Sequence, residues 1–500
     1  MVVSGVSRLW ALFLALFCVF LLSSIYLYRR PTALPSSTPL TTAPSDEPLR
    51  ERQTAFWQAF QPILERHAPG CPSPERDGKS GAIGFDAVKA PPRPDLIIMP
   101  EADVSRMRQS HEEFLNDIRS AKTLPSVHAP GTRGLVSTAG GPYFPVFVSA
   151  LRMLRRTGSK LPVELFLKDP SEYESDLCES ILPGLNARCI MLSDILSNQT
   201  GSSVEIAHYQ LKIFAILFSS FEEVIWMDAD CFPLHRPEEL FDSEPFRSTG
   251  MVTWPDFWAS TASPVYYNIS EQPVPPMTLR ASSETGVILI SKKTHFLTLL
   301  LAAYYNYYGP SHYFMLLSQG APGEGDKETF LAAASAVGEP FYAVSEPVKP
   351  IGHPKKDGKI SGSAMVQSDP VEDYLLTSQG KWRVKDPSVA KAPRVFFVHA
   401  HYPKFNPGEP SLWGHNWETA PTVKPDGSDG RAWIVATETL KRFGYDVEKA
   451  YWEEIKWVSC NLEKQFKSWK DKSGICDRVQ SYWKNVFESP DQDVPKFTDD

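Results

Sequence analysis

Residues 222–241 read EEVIWMDADCFPLHRPEELF. Glu223–Met227 has the β-branched and aromatic character of a buried strand, and it ends on Asp228-Ala-Asp230. A polar, proline-punctuated segment follows. In an extended chain, side chains two apart share a face, so such a strand delivers two carboxylates side by side. At the carboxyl edge of an open α/β sheet, that is where ligands bind. Neighbouring half-buried carboxylates repel unless a cation lies between them. A hard divalent ion such as Mn2+ or Mg2+ would relieve that repulsion and also hold a diphosphate. By itself the triplet also reads as an ordinary acidic turn, so its surroundings decide.

Working outward, Gly134–Thr138 and Val163–Leu167 read as strands, and residues 143–156 (YFPVFVSALRMLRR) as a helix after Pro145. Glu205–Ser220 has helical spacing, and Gly286–Ile290 is a further strand. Thr294–Tyr308 is a helix apolar on nearly every face, hence buried. Arg394–Val398 is a late strand running into His399, and the helix-like Ala102–Ile118 leads into the body. Strands alternating with helices predict an α/β domain built on a mainly parallel sheet with helices on both sides. The tail 432–487 carries Trp433, Trp452, Trp457, Trp469 and Trp483, read as core cover.

With 500 residues, 42% hydrophobic, the chain can bury one large core or two modest ones. A net charge of −8 argues against a general nucleic-acid binder, which needs a basic face. Leu9–Tyr28 is an uncharged apolar run, long enough as a helix to cross about 30 Å of hydrocarbon. It exceeds a signal-peptide core of roughly 7–15 residues, so it reads as an uncleaved anchor. Its flanks, Arg8 and Arg29-Arg30, do not favour a lumenal body. The sequons Asn198-Gln-Thr200 and Asn268-Ile-Ser270 do, as does the cysteine spacing. Cys178 with Cys189 and Cys460 with Cys476 lie close enough to close short loops in an oxidising compartment, leaving Cys71 and Cys231 open. The segment 31–48 is rich in Pro, Ser and Thr and reads as an extended stem. The expected layout is a tail over 1–8, an anchor over 9–28, a stem over 29–92 and one domain over 93–500, its core at about 130–410.

Several segments resemble, in order, the fungal Golgi α-mannosyltransferase family that branches N-linked cell-wall mannan. They are RGLVSTAGG (133–141), LPVELF (161–166), YQLKIFAILFSSFEEVIWMDADCFPL (209–234), WPDFW (254–258), SETGVILISKKTHF (283–296), YYNYYGPSHYFMLLSQGAPGEGDKETFLAAA (304–334), GSAMVQSDP (362–370) and VHAHYPKFNP (398–407). One departure is Cys231, where relatives usually carry Asn. The resemblance implies a GT-A-like fold, GDP-mannose as donor, Mn2+ or another divalent cation on Asp228 and Asp230, and retention of the α configuration. It is nearest to members that start α-1,2 branches on an α-1,6 backbone of an N-glycan mannan acceptor. It implies a type II Golgi membrane protein and admits an oligomer with other Golgi mannosyltransferases. An α-1,3-mannosyltransferase, a UDP-hexose transferase and a non-catalytic scaffold of a mannan-synthesising complex are the rival readings.

Candidate residues follow. Thr138, Ala139, Gly140 and Gly141 end the first strand and would let a nucleotide approach the backbone, or form a simple tight turn. Lys212 could reach donor phosphate; otherwise a lysine there is a solvated one. His399 or His401 is the candidate third metal ligand, and His399 followed by Lys404 is similar to the late histidine–lysine pair of other GT-A transferases. Asp326, Glu284 and Asp256 are the candidate catalytic or sugar-gripping acids, Asp326 also suiting a helix N-cap.

Overall fold

The computed structural model describes residues 47–120, 124–196, 205–414, 416–489 and 497. The apolar run 9–28, the stem up to residue 46 and the Asn198 sequon lie outside them. Among the described residues, no helix is long and apolar enough to cross a membrane.

In chain order, β1 (Glu75–Arg76) and β2 (Ile97–Ile98) form a small ladder. Then come β3 (Ala129–Thr138), β4 (Val163–Leu167), β5 (Ala187–Met191), β6 (Phe221–Met227), β7 (Cys231–Pro233), β8 (Met251–Ala259) and β9 (Ala281–Ser291). β10 (Tyr342–Ala343), β11 (Lys349–Pro354), β12 (Ile360–Ser368) and β13 (Val395–His399) complete the strands. The central sheet has the order β10-β8-β9-β6-β3-β4-β5. β6, β3, β4 and β5 run parallel, and β9 lies antiparallel between β6 and β8. The fold is therefore α/β with a mainly parallel central sheet. A second, antiparallel sheet has the order β11-β12-β13-β7.

The apolar runs of β3, β4 and β6 are buried, as in a parallel sheet covered on both faces, while edge strand β5 is half-buried. β4 is buried at all five positions. At Gly134 on β3, an added Cβ would lie 2.2 Å from the Phe221 ring of neighbouring β6. Gly134→Ala must displace that ring, and we expect a loss of about 1–3 kcal/mol in chemical denaturation.

The structure departs from the sequence reading in several places. Glu47–Arg66, assigned above to the stem, is a helix, and Phe56, Trp57, Phe60 and Leu64 on one stripe of it are buried in the core. Its rings pack on Phe214, Phe218 and Phe296. The polar residues between these anchors masked a helical period that only the facing surface makes useful. The helix expected over Glu205–Ser220 spans Gln210–Phe218. WPDFW lies in β8, where Pro255 concealed a strand that bulges against β9. The predicted tail aromatics Trp433, Trp452 and Trp469 are buried, and Trp483 nearly so. Both short-loop disulfides are present, Cys178–Cys189 and Cys460–Cys476.

Candidate active site

Asp228 and Asp230 sit where β6 of the central sheet passes into β7 of the second sheet. The segment is not extended: Cys231 N–H donates to Asp228 O at 3.0 Å, closing a tight turn. Its carboxylates therefore do not stand side by side on a strand face but turn to different partners. Asp228 accepts from Trp226 Nε1 at 2.8 Å and lies 3.3 Å from Lys212 Nζ. Asp230 is buried, meets Lys404 Nζ, and lies 3.2 Å from His399 Nε2.

Chain topology brings the partners in. β13 pairs with β7 so that His399 lies opposite Cys231, and Ala400 N–H donates to Asp230 O at 2.9 Å. β9 runs past the end of β6, where Asp228 N–H donates to Gly286 O at 2.8 Å. Glu284, which the sequence put ahead of this strand, lies within it, and its Oε1 is 3.3 Å from His399 Nδ1. Ligand atoms of Asp228, Glu284 and His399 lie within 4.8 Å of one another, as do those of Asp230, Cys231 and His399. His399 is the hub of both groups. His401 instead directs Nδ1 to the His399 carbonyl at 3.3 Å, and burial lowers its pKa.

Lys212 is not a solvated lysine. It is buried, donates to Thr285 O at 2.7 Å and Thr285 Oγ1 at 2.9 Å, and forms an ion pair with Asp326 Oδ2 at 3.1 Å. Burial would lower its pKa, but Asp228, Asp326 and Glu284 raise it above the ordinary lysine value. Burial pushes the Asp326 carboxyl up despite Lys212. Asp326 does not cap a helix with its side chain: the helix Thr329–Val337 begins three residues later. Asp256 stands apart, paired with Lys327 Nζ at 2.9 Å, and burial raises its pKa.

Burial opposes ionisation of Asp230 and Glu284 as well. His399 and Lys404 nevertheless hold Asp230 well below the usual carboxylate range, and His399 with Lys212 brings Glu284 down to about 2. Burial also disfavours a charged His399, yet Cys231, Asp230 and Glu284 together raise its pKa well above the ordinary value. The Cys231 thiol is buried and pushed up to about 12, so it stays protonated. Binding a cation through an imidazole nitrogen displaces the His399 proton, and the carboxylates of Asp228, Asp230, Glu284 and Asp326 then exceed the ammonium groups of Lys212 and Lys404 by two charges. That excess matches one hard divalent cation, and the carboxylate and imidazole donors suit it.

The glycines of Thr138–Gly141 divide in role. At Gly140 an added Cβ would meet Glu172 Cδ at 2.3 Å, so packing accounts for that glycine. Gly141 has φ +52° and no heavy atom within 4 Å of an added Cβ, leaving its backbone open. The loop is tied to the one after β13, since Asn406 Nδ2 donates to Pro142 O at 2.8 Å and Lys404 Nζ lies 5.7 Å from the Tyr143 ring centroid. The sequence reading missed Gln367, whose Nε2 donates to Glu284 Oε2 at 2.6 Å. A glutamine inside a strand carries no pattern that marks it; only its burial does. A separate cavity of about 670 Å³, lined by Arg133, Glu223, Arg247 and Gly250 among others, opens at the far end of the central sheet. It holds none of these acids.

A family model described as mannosyltransferase matches residues 132–280 and 276–369. That range contains Asp228, Asp230, Glu284 and Asp326 and stops short of His399 and Lys404. The chain is similar to alpha-1,2-mannosyltransferase MNN21 of Candida albicans, with 35% identity over 449 residues, covering 77% of this chain and 66% of that protein. It is 30% identical over 456 residues to alpha-1,2-mannosyltransferase MNN2 of Saccharomyces cerevisiae, covering 78% of this chain and 74% of that protein. Against five Candida relatives the chain spans 59–66% of their length. Among solved structures, the glycosyltransferase GlyE of Streptococcus pneumoniae aligns over 70% of this chain and 64% of that one, at 12% identity and a TM-score of 0.33. A superposition that loose carries no argument.

Proposed function

Because the chain belongs to the mannosyltransferase family that these relatives represent, we propose that it is a GT-A-like, retaining α-mannosyltransferase using GDP-mannose. It adds mannose to an N-glycan mannan acceptor, forming α-1,2 branches on an α-1,6 backbone. The observation that carries this reading is that Asp228 and Asp230 each join a cluster of ligand atoms centred on His399, at the junction of two sheets. These three residues would hold Mn2+ or a similar ion, which when bound neutralises the departing diphosphate.

The protein's own groups do the rest. Lys404, its side chain one-third exposed, is free to exchange Asp230 for a phosphate oxygen. The open backbone at Gly141 and the exposed Tyr143 ring adjoin it, so the nucleotide lies along the loop after β3. Lys212 keeps Asp228 oriented through Nζ while Trp226 Nε1 donates to the same oxygen. The three candidate acids are already held: Glu284 by His399, Gly286 and Gln367, Asp326 by Lys212, and Asp256 by Lys327. In this arrangement each would have to leave a partner before attacking C1. This supports the route in which the acceptor enters on the face the diphosphate leaves, and the diphosphate takes the acceptor's proton.

The same proposal makes residues 9–28 a type II anchor in the Golgi membrane. Two disulfides fit an oxidising lumen, and Asn268 of the second sequon is exposed. The donor is tested by thermal unfolding in Mn2+ with GDP-mannose or UDP-hexoses. We expect GDP-mannose to raise the midpoint and UDP-hexoses to leave it in place. Stabilisation by a UDP-sugar alone would replace the donor, and no transfer to α-1,6-mannobiose despite GDP-mannose binding would favour a scaffold.

A further inference from the structure

Glu284 is buried with both carboxylate oxygens engaged, and three separate strands supply its partners. Oε1 accepts the Gly286 N–H at 2.8 Å on β9, and Oε2 accepts Gln367 Nε2 at 2.6 Å from β12. Oε1 also lies 3.3 Å from His399 Nδ1 at the end of β13. The other ring nitrogen, Nε2, is the one turned to Asp230, at 3.2 Å. Among the described residues the buried Nδ1 makes no hydrogen bond of its own, so Glu284 is the acceptor within reach.

Space for this meeting is made by a glycine. A Cβ at Gly286 would lie 2.7 Å from His399 Nδ1 and 2.9 Å from Glu284 Oε1. Any other residue there would enter the gap the imidazole and the carboxylate share. Gly286 has an ordinary backbone, with no positive φ to demand glycine. Close approach is therefore the reason for it.

We infer that Glu284 is a positioning residue for His399 and not a group that grips or attacks sugar. A histidine that binds a cation through one nitrogen commonly donates its other N–H to a carboxylate, which fixes the tautomer and raises ligand basicity. With a cation bound, Glu284 would hold the Nδ1–H and leave the Nε2 lone pair, on the Asp230 side, for the ion, while Gln367 and Gly286 keep the carboxylate from rotating. The inference rests on the metal reading above, extending it one residue outward.

The test is direct Mn2+ binding to the whole chain, followed by the loss of the free-ion electron paramagnetic resonance signal and by the Mn2+-induced rise in unfolding temperature. Neither readout requires turnover. Glu284→Ala is expected to weaken Mn2+ binding about 10–100-fold. Glu284→Gln retains an oxygen acceptor for Nδ1–H and should recover most of that loss. Gly286→Ala leaves the carboxylate in place but fills the gap, and should weaken binding as Glu284→Ala does. Wild-type affinity in Glu284→Ala overturns the inference, as does a Glu284→Gln protein that binds no better than the alanine variant. A wild-type chain that takes up no Mn2+ overturns the metal reading itself, and this inference with it.

Discussion

Asp230→Ala is expected to reduce mannose transfer about 1,000-fold or more, the scale of losing several kcal/mol of charge stabilisation at a leaving diphosphate. The carboxylate is buried and touches both His399 and Lys404, so it organises one side of the proposed cation site. Removing it should spare the fold. His399 keeps Glu284 beside its Nδ1, and Lys404 can turn to water because its side chain is already 35% exposed. We expect a stability cost of about 1.5–3 kcal/mol, the order of a lost hydrogen bond to a charged group. The measurement pairs transfer from GDP-mannose in Mn2+ with thermal unfolding in EDTA. Wild-type turnover in the variant, or undiminished turnover of the parent in EDTA, would remove the cation from the mechanism.

Lys212→Met should produce the opposite pattern, a large loss of stability as well as activity. Its side chain is 9% exposed and its ammonium lies between Asp228 and Asp326, whose side chains are 31% and 6% exposed. Asp228 can reorient toward solvent, but Asp326 cannot. Breaking a buried pair by removing one partner costs about 3–5 kcal/mol, because the remaining charge is left uncompensated. Burial already raises the Asp326 pKa with Lys212 present, and without the lysine that rise grows. A carboxyl with a raised folded pKa destabilises the fold where it must ionise, so the penalty should be larger at pH 8 than at pH 5. Adding Asp326→Asn should restore part of the loss, read as a coupling in a double-mutant cycle of chemical denaturation. Additive costs with no pH dependence would mean that Lys212 stabilises through Thr285 alone.

The acid pair shows what local sequence can and cannot fix. Glu223–Met227 is a buried strand for the reason its residues suggest, and Asp228 and Asp230 follow it at the carboxyl edge. Their side-by-side presentation is absent, because the Cys231 N–H finds the Asp228 carbonyl and folds the triplet into a turn. No pattern in EEVIWMDADCFPLHRPEELF distinguishes these outcomes, since the turn exists to hand the chain to a second sheet. That sheet was itself illegible. β7 has three residues, and its partner β13 lies more than 160 positions later.

Lys212 and Asp326 show the same division. Each residue alone has an ordinary reading, a solvated lysine or a helix cap. Burial removes both readings: among the described residues Lys212 is ion-paired with Asp326 and Asp228, and Asp326 with Lys212. Glu284 was legible as a carboxylate near the site but not in role, which depends on what faces it from β12 and β13.

By itself, then, the sequence determined the strands with long apolar runs, the two short-loop disulfides and the family, because these depend on neighbours close along the chain. The tertiary structure decided which nitrogen faces which acid, which lysine is buried and why Gly286 is glycine. Those are contacts between residues tens to hundreds of positions apart, and their energies depend on burial that no local window contains.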